Sequence, residues 1–481
     1  MTLDRLWAFL AIGLPVLASL LASLPSVDLA YHLRAGDEIL RAGALPAVDT
    51  WTFTAAGTAW TDQQWGAQVL LTGVYRALGW TGLAVLRAAL VGSIFACLFV
   101  IGRRRGLGER RAAWLTLAAF FVAAVTLALR PQLFGMALFA LVLVLVVDRR
   151  AHPMRLWAIP FLVVVWANLH GSFFLAPLVL GLAWLEDVDD HVAGAHRVLL
   201  IGVVSAIAAC VTPTGPLVWA YAVGLSLNSQ VTQRITEWQP TSLRDIQGIL
   251  FFGSAMAVVV LIGRRGRMTS WPALAWLGVF FLIGTYAVRG VAWWPLAAVA
   301  VIAGRLLTEP EPGPDPVREP RPDSRLIRRL NVGVVAVLIL AGVALLPIWR
   351  PTDPGLDAPV GVVGAAPPGI TGALRDQVAK GERIFNPQPW GSWFEFALPD
   401  NPVALDSRIE MFPPAVWEAN ERVGSGGAGW ERQLADWGVS WFVAANDDKA
   451  AEASQVARLQ AAGWTVTYRD DDGVVLHAPT G

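Results

Sequence analysis

The chain has 481 residues, 55% of them hydrophobic and only 15% charged, with 37 basic side chains against 37 acidic ones. Soluble domains carry roughly a quarter charged residues, so this composition places the chain among membrane proteins, and a net charge of zero leaves no electrostatic footprint for a nucleic-acid partner. Its two cysteines, Cys97 and Cys210, both sit in apolar runs, which argues against a disulfide framework and against a thiolate metal site.

A membrane helix needs about 20 mainly apolar residues to cross about 30 Å of hydrocarbon. About eleven candidate runs follow in order: 7–24, 82–101, 112–129, 131–147, 156–169, 172–185, 198–212, 246–263, 272–288, 291–306 and 332–348. The first is short and ends in small residues, as a signal peptide would. The polytopic chain after it makes an uncleaved span the simpler reading. The 23 tryptophans suit aromatic belts at the membrane interfaces.

Loop charges orient these runs. Arg103–Arg105 with Arg110 and Arg111, then Arg149, Arg150 and Arg155, then Arg264, Arg265 and Arg267, then Arg325, Arg328 and Arg329 fall on one side if all eleven runs cross. The positive-inside rule makes that side, and the N-terminus, cytoplasmic. The other side receives 25–81, the Arg130-Pro131, Asn168–Gly171 and Arg289-Gly290 junctions, 212–245, and everything after Arg350. Residues 66–80 read as an amphipathic helix along the outer interface.

Residues 1–306 therefore form a transmembrane domain with a first outer loop at 25–81. A cytoplasmic Pro-rich linker occupies 307–331, with alternating proline and charge over 308–324. A last span at 332–349 and a linker at 350–368 lead to 369–481. There RIFN at 383–386, VALD at 403–406 and SWFVAAN at 440–446 read as strands. Helices at 371–380 and 449–462 and a closing hairpin around Asp470–Gly473 complete an extracytoplasmic α/β domain.

The chemistry concentrates in the first outer loop. Asp28 and His32, four residues apart, share a face if the segment is helical, and Gly43 to Pro46 ends that helix. Arg34, Asp37, Asp62 and Gln64 follow, interleaved with Trp51, Trp60 and Trp65. A carboxylate at a membrane boundary suits general-base work, because partial desolvation raises its pKa. Ordinary loop residues with tryptophan anchors are the plain alternative. Arg130, Asn168, His170 and Arg289 sit inside apolar stretches at the same expected depth. Ionisable groups there are costly and face a cavity or the protein interior. Guanidinium groups at Arg130 and Arg289 suit a phosphate, whereas each alone reads more readily as a snorkelling or structural residue. Glu237, in ITEWQP, either lines the same cavity or caps a re-entrant helix. Asp406 and Arg408, two residues apart, read as a local ion pair in a packing domain. No GxxxxGK[ST], no GxGxxG after a strand and no HExxH is present, so a cytosolic nucleotide donor is unsupported.

The segments VDLAYHLRAGDEILRAGALPAVDTWTFTAAGTAWTDQQWGAQVL, RPQLFGMALFAL, NLHGSFFLAPL, ITEWQP and VRGVAWWPL together resemble a group of bacterial polytopic membrane proteins related to type C (GT-C) glycosyltransferases, which use polyprenyl-phosphate sugars. The resemblance covers roughly 1–306, and WGSWFEF with VALDSR extends it. It implies an α-helical polytopic fold with a C-terminal α/β domain in the cell membrane. It implies that Asp28 is the catalytic base of the first outer loop. It also implies a polyprenyl-phosphate-linked donor, an envelope glycan, lipid or protein as acceptor, and surrounding membrane lipid. The superfamily often has two adjacent acidic residues where this chain has Asp28 alone, so a divalent cation is left open and no metal ligands are assigned. Two rival readings stand beside it. One is a lipid-linked glycan transporter or flippase, against which the apolar cytoplasmic half of the spans argues. The other is a non-catalytic envelope-assembly scaffold.

Overall fold

A computed structural model describes residues 1–228, 232, 234–265, 269–307, 325–446 and 448–479. The Pro-rich stretch at 308–324 lies outside the described residues, as do Gly266, Arg267 and Met268.

Each of the eleven apolar runs contains a helix. Among the described residues five helices are long and apolar enough to cross a membrane: Leu3–Leu21, Trp65–Arg104, Gly171–Asp189, Ile246–Arg264 and Arg325–Ala344. Pro131–Val147, Pro153–Leu169, His196–Ala208 and Trp271–Tyr286 are apolar but shorter. The stretch at 66–80 is helical and runs on into the next span. Gly79, at φ 58° and ψ −155°, breaks the helix between them, a backbone conformation that costs glycine little. A further helix, Leu217–Leu227, occupies part of the segment read as an outer loop.

By packing, the chain forms two units. The first comprises Met1–Ala22, Ala84–Leu227 and Ile235–Leu346; the second comprises Ser23–Leu83, Asn228–Arg234 and Pro347–Gly481. The first outer loop thus groups with the C-terminal segment, cutting across the divisions read from hydropathy. Apolarity marks a helix; it does not record which polar surfaces pack on each other.

The helix unit is built on aromatic packing. Phe139 lies 5.5 Å from Trp293 and 5.6 Å from Phe280 between ring centroids, with Trp166 at 6.3 Å. Arg87, buried at 3% exposure, donates to the carbonyls of Ser19 and Ala22, closing the last turn of Leu3–Leu21.

In the second unit the helix Ser26–Ala42 ends at Gly43 in the left-handed region, as its sequence predicts. The helix Gln388–Ala397 packs against it. A four-stranded sheet orders Arg383–Phe385, Val439–Ala445, Gly473–His477 and Thr465–Arg469. The first pair is parallel and the others are antiparallel, with the expected hairpin at 470–473. The VALD stretch forms no strand; Val403 makes only single bridges to Thr52 and Ile384. Phe385, Phe442, Trp464, Val474 and Leu476 fill the core beside the sheet. The helices Pro414–Ser425 and Trp430–Asp436 were not legible in the sequence.

Candidate functional site

The candidate residues divide between the units. Asp28, His32, Arg34, Asp37, Asp62 and Gln64 belong to the second; Arg130, Asn168, His170, Glu237 and Arg289 belong to the first.

In the helix unit Arg130 is the N-cap residue of Pro131–Val147, with proline at the first helical position, where its missing N–H costs nothing. The Arg130 guanidinium grips Glu237 in a fork, Nη1 to Oε2 at 3.0 Å and Nη2 to Oε1 at 2.5 Å. Arg289 Nη2 stands 3.4 Å from the same carboxylate. Its guanidinium lies over the Trp238 ring at 5.1 Å, and its carbonyl accepts from Gln132 Nε2 at 3.2 Å. Two short 3-10 turns, Thr236–Trp238 and Val288–Ala292, carry these groups, and Val288 N–H donates to the Gln239 carbonyl. Side-chain exposures of 17% at Arg130, 34% at Glu237 and 25% at Arg289 leave the trio reachable from outside. The Arg289 Nε–H has no acceptor among the described residues. Two guanidiniums against one carboxylate give the cluster one net positive charge, at a helix N-terminus that also favours anions.

His170, the residue before the turn Gly171–Phe174, lies beside Gly135, about a turn further along that helix. A side chain at Gly135 would meet Ser172 Oγ, Trp166 Nε1 and His170 Nδ1, at 2.8, 2.9 and 3.5 Å from its Cβ. Ser172 N–H donates to His170 Nδ1 at 3.2 Å, and the Ser172 hydroxyl, which accepts from Trp166 Nε1, lies 2.7 Å from the same nitrogen. An accepting Nδ1 puts the neutral imidazole's proton on Nε2, so His170 presents a donor. Asn168 instead clamps backbone, its amide donating to Val164 and Val211 carbonyls at 2.9 and 2.8 Å.

In the second unit Asp28 lies in the first turn of Ser26–Ala42, half-buried, where the helix dipole favours a carboxylate. The helix places His32 one turn on, buried at 1% exposure with its ring 4.0 Å from that of Tyr31. Arg34 and Asp37 are engaged in packing. Arg34 donates to the carbonyls of Glu395 at 2.6 Å and Pro399 at 3.1 Å, pairs with Glu38, and covers the Trp51 ring. Asp37 pairs with Arg41 and Arg76. Asp62 accepts from Gln68 Nε2 at 2.9 Å and from the Gln64 backbone N–H, while its Oδ2 has no partner among the described residues. Burial outweighs these hydrogen bonds and pushes its carboxyl up to about 7.

The Asp406–Arg408 pair belongs to a larger buried polar cluster, whose other members, Asp49 and Glu395, the sequence did not point to. Arg408, at 2% exposure, forks onto Asp406, reaches Asp49 Oδ1 at 2.7 Å and lies 3.6 Å from Glu395 Oε1. Trp51 and Trp60 cover the guanidinium at 4.3 and 4.6 Å. Asp49 also accepts from the Thr52 hydroxyl at 2.6 Å and from the backbone N–H groups of Trp51 and Thr52. Burial, then the neighbouring Asp406 charge, holds the Glu395 carboxyl well above its usual range. The plain reading of Asp406–Arg408 as a local ion pair is what the side chains form. Its third member, Asp49, lies 359 residues from Arg408, beyond any local pattern.

Among the described residues no group of three or more His, Cys, Asp or Glu side chains is placed to hold a metal ion. Asp49, Asp406 and Glu395 close on a guanidinium, which fills the place a cation would take.

No family model and no curated protein matches the chain. Solved structures do. The Archaeoglobus fulgidus oligosaccharyltransferase tethered with an acceptor peptide superposes at a TM-score of 0.55 and 12% identity, over 91% of this chain and 69% of that one. The archaeal oligosaccharyltransferase AglB from the same organism, in complex with an inhibitory peptide and a dolichol-phosphate, gives 0.56 and 11% over 100% and 75%. A complex of the Archaeoglobus fulgidus oligosaccharyltransferase with Zn and sulfate gives 0.51 and 12% over 99% and 73%. The chain shares the fold of these type C enzymes, consistent with the resemblance carried by its motifs.

Proposed function

We propose that the chain is a membrane glycosyltransferase that moves a sugar from a polyprenyl-phosphate donor to a cell-envelope acceptor on the outer face of the membrane. The observation that carries this reading is the open cluster of Arg130, Glu237 and Arg289 at the start of an apolar helix. Forked guanidiniums suit a phosphate oxyanion, and the fold supports the enzyme class. A lipid-linked donor approaches laterally from the bilayer, and Glu237 keeps the two guanidiniums in register until its phosphate arrives. His170 Nε2–H donates to the same phosphate or to the leaving oxygen. Asp28 takes the proton of the acceptor hydroxyl as that oxygen attacks the anomeric carbon. The bond from that carbon to the phosphate oxygen breaks, and polyprenyl phosphate leaves. The acceptor is a glycan, lipid or protein of the envelope. The N-terminus faces the cytoplasm and the C-terminal segment the outside, as the loop charges indicate.

Purified protein in nanodiscs, given a polyprenyl-phosphate sugar and an acceptor, should turn over. Asp28→Asn should lower that turnover by about 100-fold or more, the scale of a lost general base. Turnover unchanged in Asp28→Asn overturns the assignment. One observation favours keeping the transporter reading in the assay. The end of the spans expected to be apolar holds Arg149 and Asp187, buried at 3% and 2% and paired at 2.8 Å. Lipid translocation without sugar transfer would identify a transporter.

A further inference from the structure

Asp28 lies in the first turn of a helix that does not cap itself. Pro25 holds the N-cap position of Ser26–Ala42, and its side chain offers no acceptor to the orphan N–H groups of that turn. The C-terminal segment holds the start of the helix instead, and every residue involved belongs to the second unit. Leu24 N–H donates to the Val362 carbonyl at 2.6 Å, and Leu24–Pro25 pairs in parallel with Val363–Gly364. Two residues further on, the Val27 carbonyl accepts from the Ser407 hydroxyl at 2.9 Å. Arg34 ties the middle of the helix to the carbonyls of Glu395 and Pro399.

The Ser407 contact bears directly on the proposed base. The Val27 carbonyl and the Asp28 N–H belong to one planar peptide. A hydrogen bond to that oxygen therefore sets the plane from which the Asp28 side chain projects. Ser407 has a single hydroxyl proton, and a carbonyl can only accept, so that proton is spent on Val27. The Ser392 hydroxyl, 2.7 Å from Ser407 Oγ, is then the donor to it, and Ser407 N–H donates back to Ser392 Oγ at 3.2 Å. A relay of donors runs from Ser392 through Ser407 to Val27.

Both ends of this relay are anchored. Ser392 is fully buried in Gln388–Ala397, the helix that packs on Ser26–Ala42. Gly391 lets that helix approach the stretch leading to Ser407, because a Cβ there would run into the Leu405 carbonyl oxygen. On either side of Ser407, Asp406 and Arg408 are locked into the buried cluster with Asp49 and Glu395. A hydroxyl fixed between locked neighbours is a rigid reference for the helix it touches.

We propose that Ser407, supported by Ser392, is a positioning residue for Asp28: its hydroxyl holds the first turn of Ser26–Ala42 so that the Asp28 carboxylate meets the acceptor hydroxyl. This rests on the reading of Asp28 as the general base. Ser407 acts through Asp28 and exchanges no proton with either substrate.

Steady-state kinetics of the full chain in nanodiscs, with a polyprenyl-phosphate sugar and an acceptor, test it. Ser407→Ala should lower kcat about tenfold, a fraction of the roughly 100-fold that a misplacement of about 1 Å can cost, and leave KM for the donor unchanged. Ser407→Thr keeps the hydroxyl and should restore most of the loss. In an Asp28→Asn background Ser407→Ala should lower the residual turnover no further, because residues acting through one group are not additive. Ser392→Ala, which keeps the Val27 contact and loosens its support, should show a smaller loss of the same kind, and it carries the test if Ser407→Ala fails to fold in a thermal melt. Wild-type kcat in Ser407→Ala, a loss confined to KM, or a full additional loss on top of Asp28→Asn overturns the role of Ser407 and leaves the base reading standing. Wild-type turnover in Asp28→Asn, or a wild type that transfers no sugar, overturns the base reading and the role of Ser407 with it.

Discussion

Arg408 and Arg130 hold carboxylates with the same forked chemistry in two different settings. Around Arg408 every partner is dry: Asp49, Asp406 and Glu395 have fully buried side chains, and two indoles close the faces of the guanidinium. Around Arg130 the shared carboxylate keeps a third of its surface, and a second guanidinium waits at 3.4 Å. A buried pair has committed its hydrogen bonds and cannot exchange them for a ligand without exposing charge. An open pair can exchange, because water or an anion replaces what it gives up. Burial, more than residue type, separates the cluster that holds a unit together from the one that can bind.

The largest expected effect tests the dry side. Arg408→Met leaves Asp49 and Asp406 as buried, uncompensated charges, and should destabilise the folded chain by about 3–5 kcal/mol, read from denaturant unfolding in detergent. A loss under about 1 kcal/mol, the scale of an exposed pair, would erase the contrast.

Next comes Asp62. Its carboxyl is raised from 3.8 to about 7 by burial. Between those values the folded chain keeps a proton that the unfolded chain has released. Stability from this group is therefore present at low pH, falls as pH rises through that window, and is gone above it. Asp62→Asn removes the slope and should gain on the wild type by about 1–3 kcal/mol from acid to neutral pH. Parallel stability–pH curves for the two proteins would show that Asp62 titrates normally.

On the open side Arg130→Gln should cost less than about 1 kcal/mol of stability, because its pair stays partly hydrated. A loss as large as that of Arg408→Met would make it a structural pair like the other. The smallest effect belongs to Glu395→Gln. Burial, then the neighbouring Asp406 charge, raises the Glu395 carboxyl and favours its protonated form, so a neutral amide should change stability less than Arg130→Gln does. A severe loss in the thermal melt would mean that Glu395 is ionised.

How much of this was legible in the sequence follows from range. Hydropathy located a helix in every apolar run, and the Asp28–His32 spacing and the stop at Gly43 were local signals that the helix Ser26–Ala42 obeys. Arg130 and Arg289 stood out because charge inside an apolar stretch is costly, and they do share a partner. Glu237, left between two readings, proves to be that partner. Arg34, Asp37 and Asn168 have the composition of site residues but spend their hydrogen bonds on packing. Asp49 and Glu395 gave no signal, since an acid in a polar segment is ordinary until its neighbours are known.

The central claim is that the open cluster binds the donor's phosphate, and equilibrium binding of polyprenyl phosphate to the purified protein tests it most directly. Arg130→Gln and Arg289→Gln should each weaken binding about tenfold or more, the scale of a lost hydrogen bond to a charged group, while Asp28→Asn binds as the wild type does. Wild-type affinity in both arginine variants would contradict the account.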